Sequence, residues 1–80
     1  MIYYVAMPFT PADGGGLAPG QAVECPSEST AVRRAEALAR QEGHTGAVAF
    51  SRVGDPSLGE FEDAVILKAF GEVPDDFGYG

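Results

Sequence analysis

Three segments of this chain carry large apolar side chains at both odd and even positions, and this pattern restricts the fold more than any other feature. The segments cover residues 2–9, 47–53 and 64–70. Neighbouring side chains of a strand point to opposite faces, so a strand with one buried face alternates apolar and polar residues. Loss of that alternation is typical of a sheet covered on both sides. The sequence offers a single convincing helix, so we expect something beyond this helix to cover the second face.

The helix is predicted to begin at Pro26 and Ser27, because a serine at this position can accept a hydrogen bond from a free backbone N–H of the first turn. Gly43 suits the left-handed residue that ends a helix. Glu36 and Arg40 have the spacing and order of an exposed ion pair. One stripe of the helix is mostly alanine and is expected to pack on the sheet. Its members are Ala31, Val32, Ala35, Leu38 and Ala39.

The remaining pattern predicts four strands, at residues 1–9, 21–25, 45–53 and 60–70. We therefore expect an α+β fold of order ββαββ, with one helix on one face of a four-stranded antiparallel sheet. A right-handed crossover between the second and third strands gives the sheet order 2-1-3-4, which leaves residues 60–70 at an edge. Residues 10–20 hold four glycines and two prolines and are predicted to form a mobile loop, with a functional role left open. Residues 1–74 are expected to form one domain, followed by a flexible acidic and aromatic tail at 75–80.

A chain of 80 residues buries a small core, and such domains often gain stability from disulfides, metals or oligomerisation. One cysteine excludes an intrachain disulfide, and one histidine with one cysteine makes a structural zinc site implausible. Oligomerisation is the remaining option. We expect a homodimer that forms through the edge strand or the uncovered sheet faces. The residues expected to take part are Val65, Leu67, Val48 and Phe50.

The formal net charge is −7 and is unevenly distributed. Residues 1–53 hold five acids and four bases, whereas residues 54–80 hold seven acids and one lysine. Binding of nucleic acids and anionic membranes depends on Lys and Arg, so neither partner is expected. Solubility is the simplest explanation for the acidity, and a basic protein partner or mimicry of nucleic acid is the alternative. No basic start typical of a signal peptide or apolar run long enough for a membrane span is visible, so we expect a cytoplasmic protein.

Cys25 precedes the predicted helix, where the helix dipole can favour a reactive thiolate. The simpler interpretation is a small buried residue. His44 follows the helix and is expected to cap carbonyl groups or face water. A helix of about 15 residues keeps the two side chains roughly 22 Å apart in one chain, so a catalytic pair requires a dimer. Both residues are weak catalytic candidates.

The densest acidic cluster is formed by Glu60, Glu62 and Asp63, which are weak candidates for binding a metal ion. The alternating oxygen ligands and distal Glu of a calcium loop are missing, so a solvated strand start is the favoured interpretation. Gly14 to Gly16 resemble a phosphate loop only superficially, because no Lys-Ser or Lys-Thr follows them. The aromatic side chains are expected in the core or an interface. The sequence implies no cofactor.

Several segments together are similar to a group of short uncharacterised bacterial proteins of about this length. These segments are residues 25–27 with the helix that follows, 46–52, 59–64 and 70–74, within a resemblance that spans roughly residues 21–76. The resemblance implies no activity and transfers no functional residue. The sequence therefore predicts a self-associating binding or accessory module without catalysis. The alternatives are a small enzyme or ligand binder with a site at the dimer interface, and an acidic inhibitor or nucleic-acid mimic.

Overall fold

A computed structural model describes residues 1–55 and 57–75. These residues form an α+β fold with one helix and a curled antiparallel sheet of six strands. The predicted four-strand arrangement is therefore matched only roughly. The elements in chain order are β1 (Ile2–Pro11), β2 (Leu17–Pro19), β3 (Val23–Cys25), α1 (Glu28–Arg40), β4 (Gly46–Asp55), β5 (Glu60–Phe61) and β6 (Val65–Gly71). Of the predicted tail at 75–80, residues 76–80 lie outside the described residues.

The two long strands β1 and β4 form the centre of the sheet. They pair antiparallel over eight residues, from Ile2 opposite Val53 to Phe9 opposite Gly46. The other edge of β1 is occupied by β2 and β3, and the other edge of β4 by β5 and β6. The expected position of β1 between the second and third predicted strands is thus observed, and β6 lies at the expected edge.

Two predicted elements are corrected by the structure. The expected loop at 10–20 is shorter, because Thr10 pairs with Ala18 and extends β1 and β2 into a small hairpin. The expected continuous strand at 60–70 is interrupted at residues 62–64. It also contains a bulge, since Ala49 pairs with Lys68 while the next residue pairs with Ile66, which leaves Leu67 as the extra residue.

Helix α1 forms where the local signals place it. Ser27 accepts a hydrogen bond from the backbone N–H of Thr30, as predicted for the N-cap. Arg40 and Glu36 approach to 3.8 Å as an exposed pair. Gly43 has a φ of +92°, two residues beyond the C-cap Gln41. These capping residues therefore limit the helix to Glu28–Arg40.

The core between α1 and the sheet is built largely from alanine. Small side chains on both surfaces let the helix lie close to the strands. The buried side chains of this core are Ala6, Cys25, Ala31, Ala35, Leu38, Ala47 and Ala49. Few large apolar groups are buried here, so one copy of the chain gains only limited hydrophobic stabilisation from this layer.

The sheet face opposite α1, here called the open face, is divided into two parts. At one end the side chains of Phe9 and Val48 are almost fully buried. At the other end Tyr3, Val5 and Phe50 are only half-buried. The doubled apolar pattern of β1 and β4 therefore corresponds to real burial on both faces at one end of the sheet and to a partly exposed surface at the other.

Candidate functional site

The open face contains a groove of about 490 Å³. This size is within the range of small-molecule sites in proteins. The groove runs across β3, β1 and β4 and ends at β5. Its lining is mainly apolar and aromatic, with one acid and one base. The lining residues are Tyr3, Val5, Ala22, Glu24, Phe50, Arg52 and Phe61.

The register of the sheet brings these side chains together. Tyr3 is opposite Arg52, and Val5 lies between Glu24 on one neighbouring strand and Phe50 on the other. Directly opposite residues of antiparallel strands project to the same face, so these five side chains share the open face. Glu24 and Arg52 thereby lie on opposite sides of β1, with apolar side chains between them.

Phe61 closes one end of the groove. Its ring covers the Cα of Gly54, where a Cβ would collide with the ring carbons. The ring centroid lies 6.1 Å from that of Tyr3, and the Arg52 guanidinium carbon lies 5.6 Å from the Phe61 centroid. Arg52 Nε also donates a 2.8 Å hydrogen bond to the carbonyl oxygen of Glu62. Arg52 is therefore held at two points although its side chain is exposed.

A second feature lies at the end of the sheet where β1 begins and β4 ends. All the large hydrophobic side chains that are exposed in the described residues belong to this end. We call this set the apolar end; it comprises Met1, Ile2, Val53, Leu58, Phe61, Val65 and Ile66. The pairings of Ile2 with Val53 and of Gly54 with Phe61 explain why residues distant in sequence meet here. A concentration of exposed apolar groups at one place is typical of an interaction surface.

Four exposed carboxylates, here called the acid rim, lie beside the apolar end: Asp55, Glu60, Glu62 and Asp63. Ser57 donates hydrogen bonds from Oγ (2.6 Å) and from its backbone N–H (3.0 Å) to Asp55 Oδ1. These bonds, chiefly the one from the side chain, hold the pKa of Asp55 below its usual value of 3.8.

The acid rim does not assemble a metal site in the part of the chain that is described, because no three His, Cys, Asp or Glu side chains come close enough to hold an ion. The weak metal candidates Glu60, Glu62 and Asp63 are exposed instead. A smaller depression of about 310 Å³ adjoins Glu60 and Glu62 and is bounded by Met1, Val53 and Phe61 among others. The Met1 amino group donates a 2.8 Å hydrogen bond to the Gly54 carbonyl oxygen there.

The two weak catalytic candidates lie at different ends of the helix. Cys25 is buried at the end of β3, opposite Tyr4, and its Sγ is 3.6 Å from the carbonyl oxygen of Val23. His44 Nδ1 lies 2.6 Å from the Leu38 carbonyl oxygen, so the ring caps the last helical turn as expected. One copy of the chain therefore does not bring the thiol and the imidazole together.

The four residues expected to mediate self-association differ in accessibility. Val65 is 61 % exposed and belongs to the apolar end, and Phe50 is half-buried in the groove. Leu67 is half-buried and packs against the core beneath α1. Val48 is buried within a single chain, so its side chain has little area left to offer a partner.

The glycine-rich segment forms the connection of the β1–β2 hairpin. The backbone N–H of Ala12 donates a 2.8 Å hydrogen bond to the carbonyl oxygen of Gly16. Gly14 and Gly15 both have positive φ, a conformation that glycine adopts without steric cost. The conformation of the turn therefore explains why glycines occur here, and a phosphate-binding role is not needed to explain them.

The sequence does not predict that Arg52 lines the groove beside Tyr3 and Phe61. Its position in an apolar segment marks it as unusual, but its neighbours become visible only through the register that places it beside Tyr3 and Phe61. A helix long and apolar enough to cross a membrane is not present in residues 1–55 and 57–75. Comparisons with protein-family models, curated proteins and solved structures gave no match.

Proposed function

We propose that this protein is a small self-associating module and that two copies meet through the apolar end. The observation that carries this proposal is that the exposed large hydrophobic groups of the described residues are gathered at one end of the sheet. Each exposes between 39 and 74 % of its surface. By register, Ile2, Val53 and Val65 lie on the α1 side of the sheet and Ile66 and Phe61 on the open face, so the apolar end wraps around the end of the sheet. Together its side chains offer apolar area on the order of several hundred Å², the scale of one side of a small protein interface.

A second copy is the occupant that this surface fits best. A twofold interface needs only one patch, because the same residues serve on both sides. The alanine-rich core of one copy buries few large side chains, so burial of the apolar end supplies stabilisation that the isolated chain lacks. The proposed module acts in the cytoplasm, where a free cysteine such as Cys25 stays reduced.

Strand-to-strand pairing of two β6 edges is disfavoured as the basis of the dimer. The edge carries Lys68 near its centre and the bulge at Leu67. A lysine and a bulge are devices by which proteins keep an edge strand from pairing with another chain. We therefore expect the two copies to associate by side-chain packing at the apolar end and not by forming a continuous intermolecular sheet.

Sedimentation of the wild-type chain and three variants tests the proposal. At micromolar concentration the wild type is expected to approach twice its monomer mass of 8.3 kDa. Val65→Glu and Leu58→Glu place a charge in the interface and are expected to raise the dimer Kd at least tenfold, about 1.4 kcal/mol. Leu58 lies in the exposed β4–β5 connection, so its replacement leaves the sheet core untouched.

Ala37→Glu is the matched control, because it adds the same charge on the exposed side of α1, away from the apolar end. It is expected to leave the dimer Kd unchanged. A wild type that sediments as a folded monomer contradicts the proposal. Equal effects of Val65→Glu and Ala37→Glu would contradict the assignment of the interface to the apolar end.

The acid rim supports a second candidate function, the binding of a basic protein partner. Exposed carboxylates around an apolar surface complement a partner with apolar side chains flanked by Lys or Arg. This partner would compete with the second copy for the same surface. The expected observation is that a basic amphipathic peptide dissociates the dimer at low salt and loses this effect at high salt.

A further inference from the structure

We propose that the groove on the open face binds a planar aromatic molecule that carries a carboxylate or a similar planar anionic group. This inference goes beyond self-association and does not depend on it. The inference rests on three features of the groove: Arg52, the aromatic lining and the size.

Arg52 lines the groove and has unused hydrogen-bonding capacity. Within residues 1–55 and 57–75 its guanidinium makes one hydrogen bond, from Nε to the Glu62 carbonyl oxygen, and no ion pair. This is notable in a chain with 12 acids and five bases. The terminal Nη atoms remain available, and two parallel N–H groups match the geometry of a carboxylate.

The Phe61 ring and the Glu62 carbonyl hold the guanidinium before any ligand arrives. A side chain that is already positioned loses less rotamer freedom on binding than a free one. Glu24, on the other side of β1, is exposed and has no hydrogen bond of its side chain in the described part of the chain. The fixed group of the groove is therefore the cation, which favours an anionic ligand over a cationic one.

The other lining residues favour an aromatic ligand. The rings of Tyr3, Phe50 and Phe61 and the side chain of Val5 border the groove. Flat apolar ligands bury area against such side chains, and aromatic rings add offset or edge-to-face contacts. The net charge of −7 repels anions, and Glu24, Glu60 and Glu62 do so from close to the groove, whereas exposed charges more than about 8 Å away are largely screened at physiological salt. Direct hydrogen bonds to Arg52 are short-range and persist under these conditions.

Three probes of the same shape and different charge test this inference: naphthoate, naphthylmethanol and naphthylmethylammonium. Binding is measured by amide NMR shifts of the full chain at physiological salt. Naphthoate is expected to bind about tenfold more tightly than either other probe, with the largest shifts in β1, β3 and β4 around the groove. Equal affinities for all three, or shifts centred on the apolar end, would overturn the inference.

Two variants and one control identify the residues responsible. Arg52→Gln is expected to reduce naphthoate affinity to that of naphthylmethanol, whereas Glu24→Gln is expected to raise it severalfold. Arg34→Gln removes the same charge from the exposed side of α1 and should change the affinity little. Equal losses in Arg52→Gln and Arg34→Gln would show a nonspecific charge effect and overturn the site.

The same titration with Val65→Glu separates this inference from self-association. Phe61 belongs to both the groove and the apolar end, but Val65 does not line the groove, so the monomeric variant is expected to bind naphthoate at least as tightly as the wild type. Loss of binding in Val65→Glu would contradict a groove complete in one chain. If the wild-type chain is a monomer and still binds naphthoate, the proposed self-association is contradicted and the proposed ligand site is not.

Discussion

At the scale of single residues, the pair Gly46 and Gly71 shows how closely the backbones approach where β4 begins. The two glycines are opposite each other in the sheet. A Cβ on Gly46 would meet the carbonyl oxygens of Phe70 and Glu72, which are backbone atoms and cannot rotate away. Gly71 itself has a φ of +68°, in the left-handed region that favours glycine.

We therefore expect Gly46→Ala to lower the free energy of unfolding by about 2–3 kcal/mol, the upper part of the range for an overpacked core site. The measurement is urea unfolding followed by circular dichroism. Gly16→Ala is the matched control, because a Cβ there meets no atom within 4 Å and the effect should stay within about 0.5 kcal/mol. Equal losses in the two variants would contradict the close approach as the cause, because the general entropic effect of replacing glycine by alanine is stabilising.

At the scale of elements, helix α1 is defined by signals that lie within its own sequence. The Ser27 hydroxyl is within 2.8 Å of the Thr30 hydroxyl and 3.3 Å of the Thr30 backbone nitrogen. Ser27→Ala removes this acceptor and is expected to destabilise the fold by about 1 kcal/mol in thermal or urea unfolding. Ser27→Asp keeps an acceptor at the cap and should retain most of the wild-type stability. A Ser27→Asp variant as unstable as Ser27→Ala would exclude capping as the cause.

The helix and its alanine stripe could be predicted because capping and 3.6-residue periodicity are local. The break and the bulge in the last predicted strand could not be predicted in this way. The break at residues 62–64 and the bulge at Leu67 depend on how β6 fits beside β4, which no property of residues 60–70 alone specifies. The groove was missed for the same reason, since Tyr3, Arg52 and Phe61 are far apart in sequence and meet only through the sheet register.

At the scale of the whole molecule, the charge distribution and the apolar end act in opposite directions on association. Each copy carries a formal charge of −7, and the acid rim lies beside the apolar end. A twofold dimer through this end brings two acid rims near each other, and like charges in an interface oppose association.

The dimer Kd is therefore expected to fall severalfold as NaCl rises from about 0.01 M to about 1 M, where the screening length shortens from about 30 Å to about 3 Å. Sedimentation across this salt series measures the change. Replacing both Glu60 and Glu62 by Gln should lower the Kd at low salt and have little effect at high salt, which separates charge repulsion from a general effect of salt on apolar burial. Weaker association at high salt would instead indicate attraction between opposite charges. In that case acidic and basic side chains of the two copies would meet, which contradicts the meeting of two acid rims expected for a contact between two apolar ends.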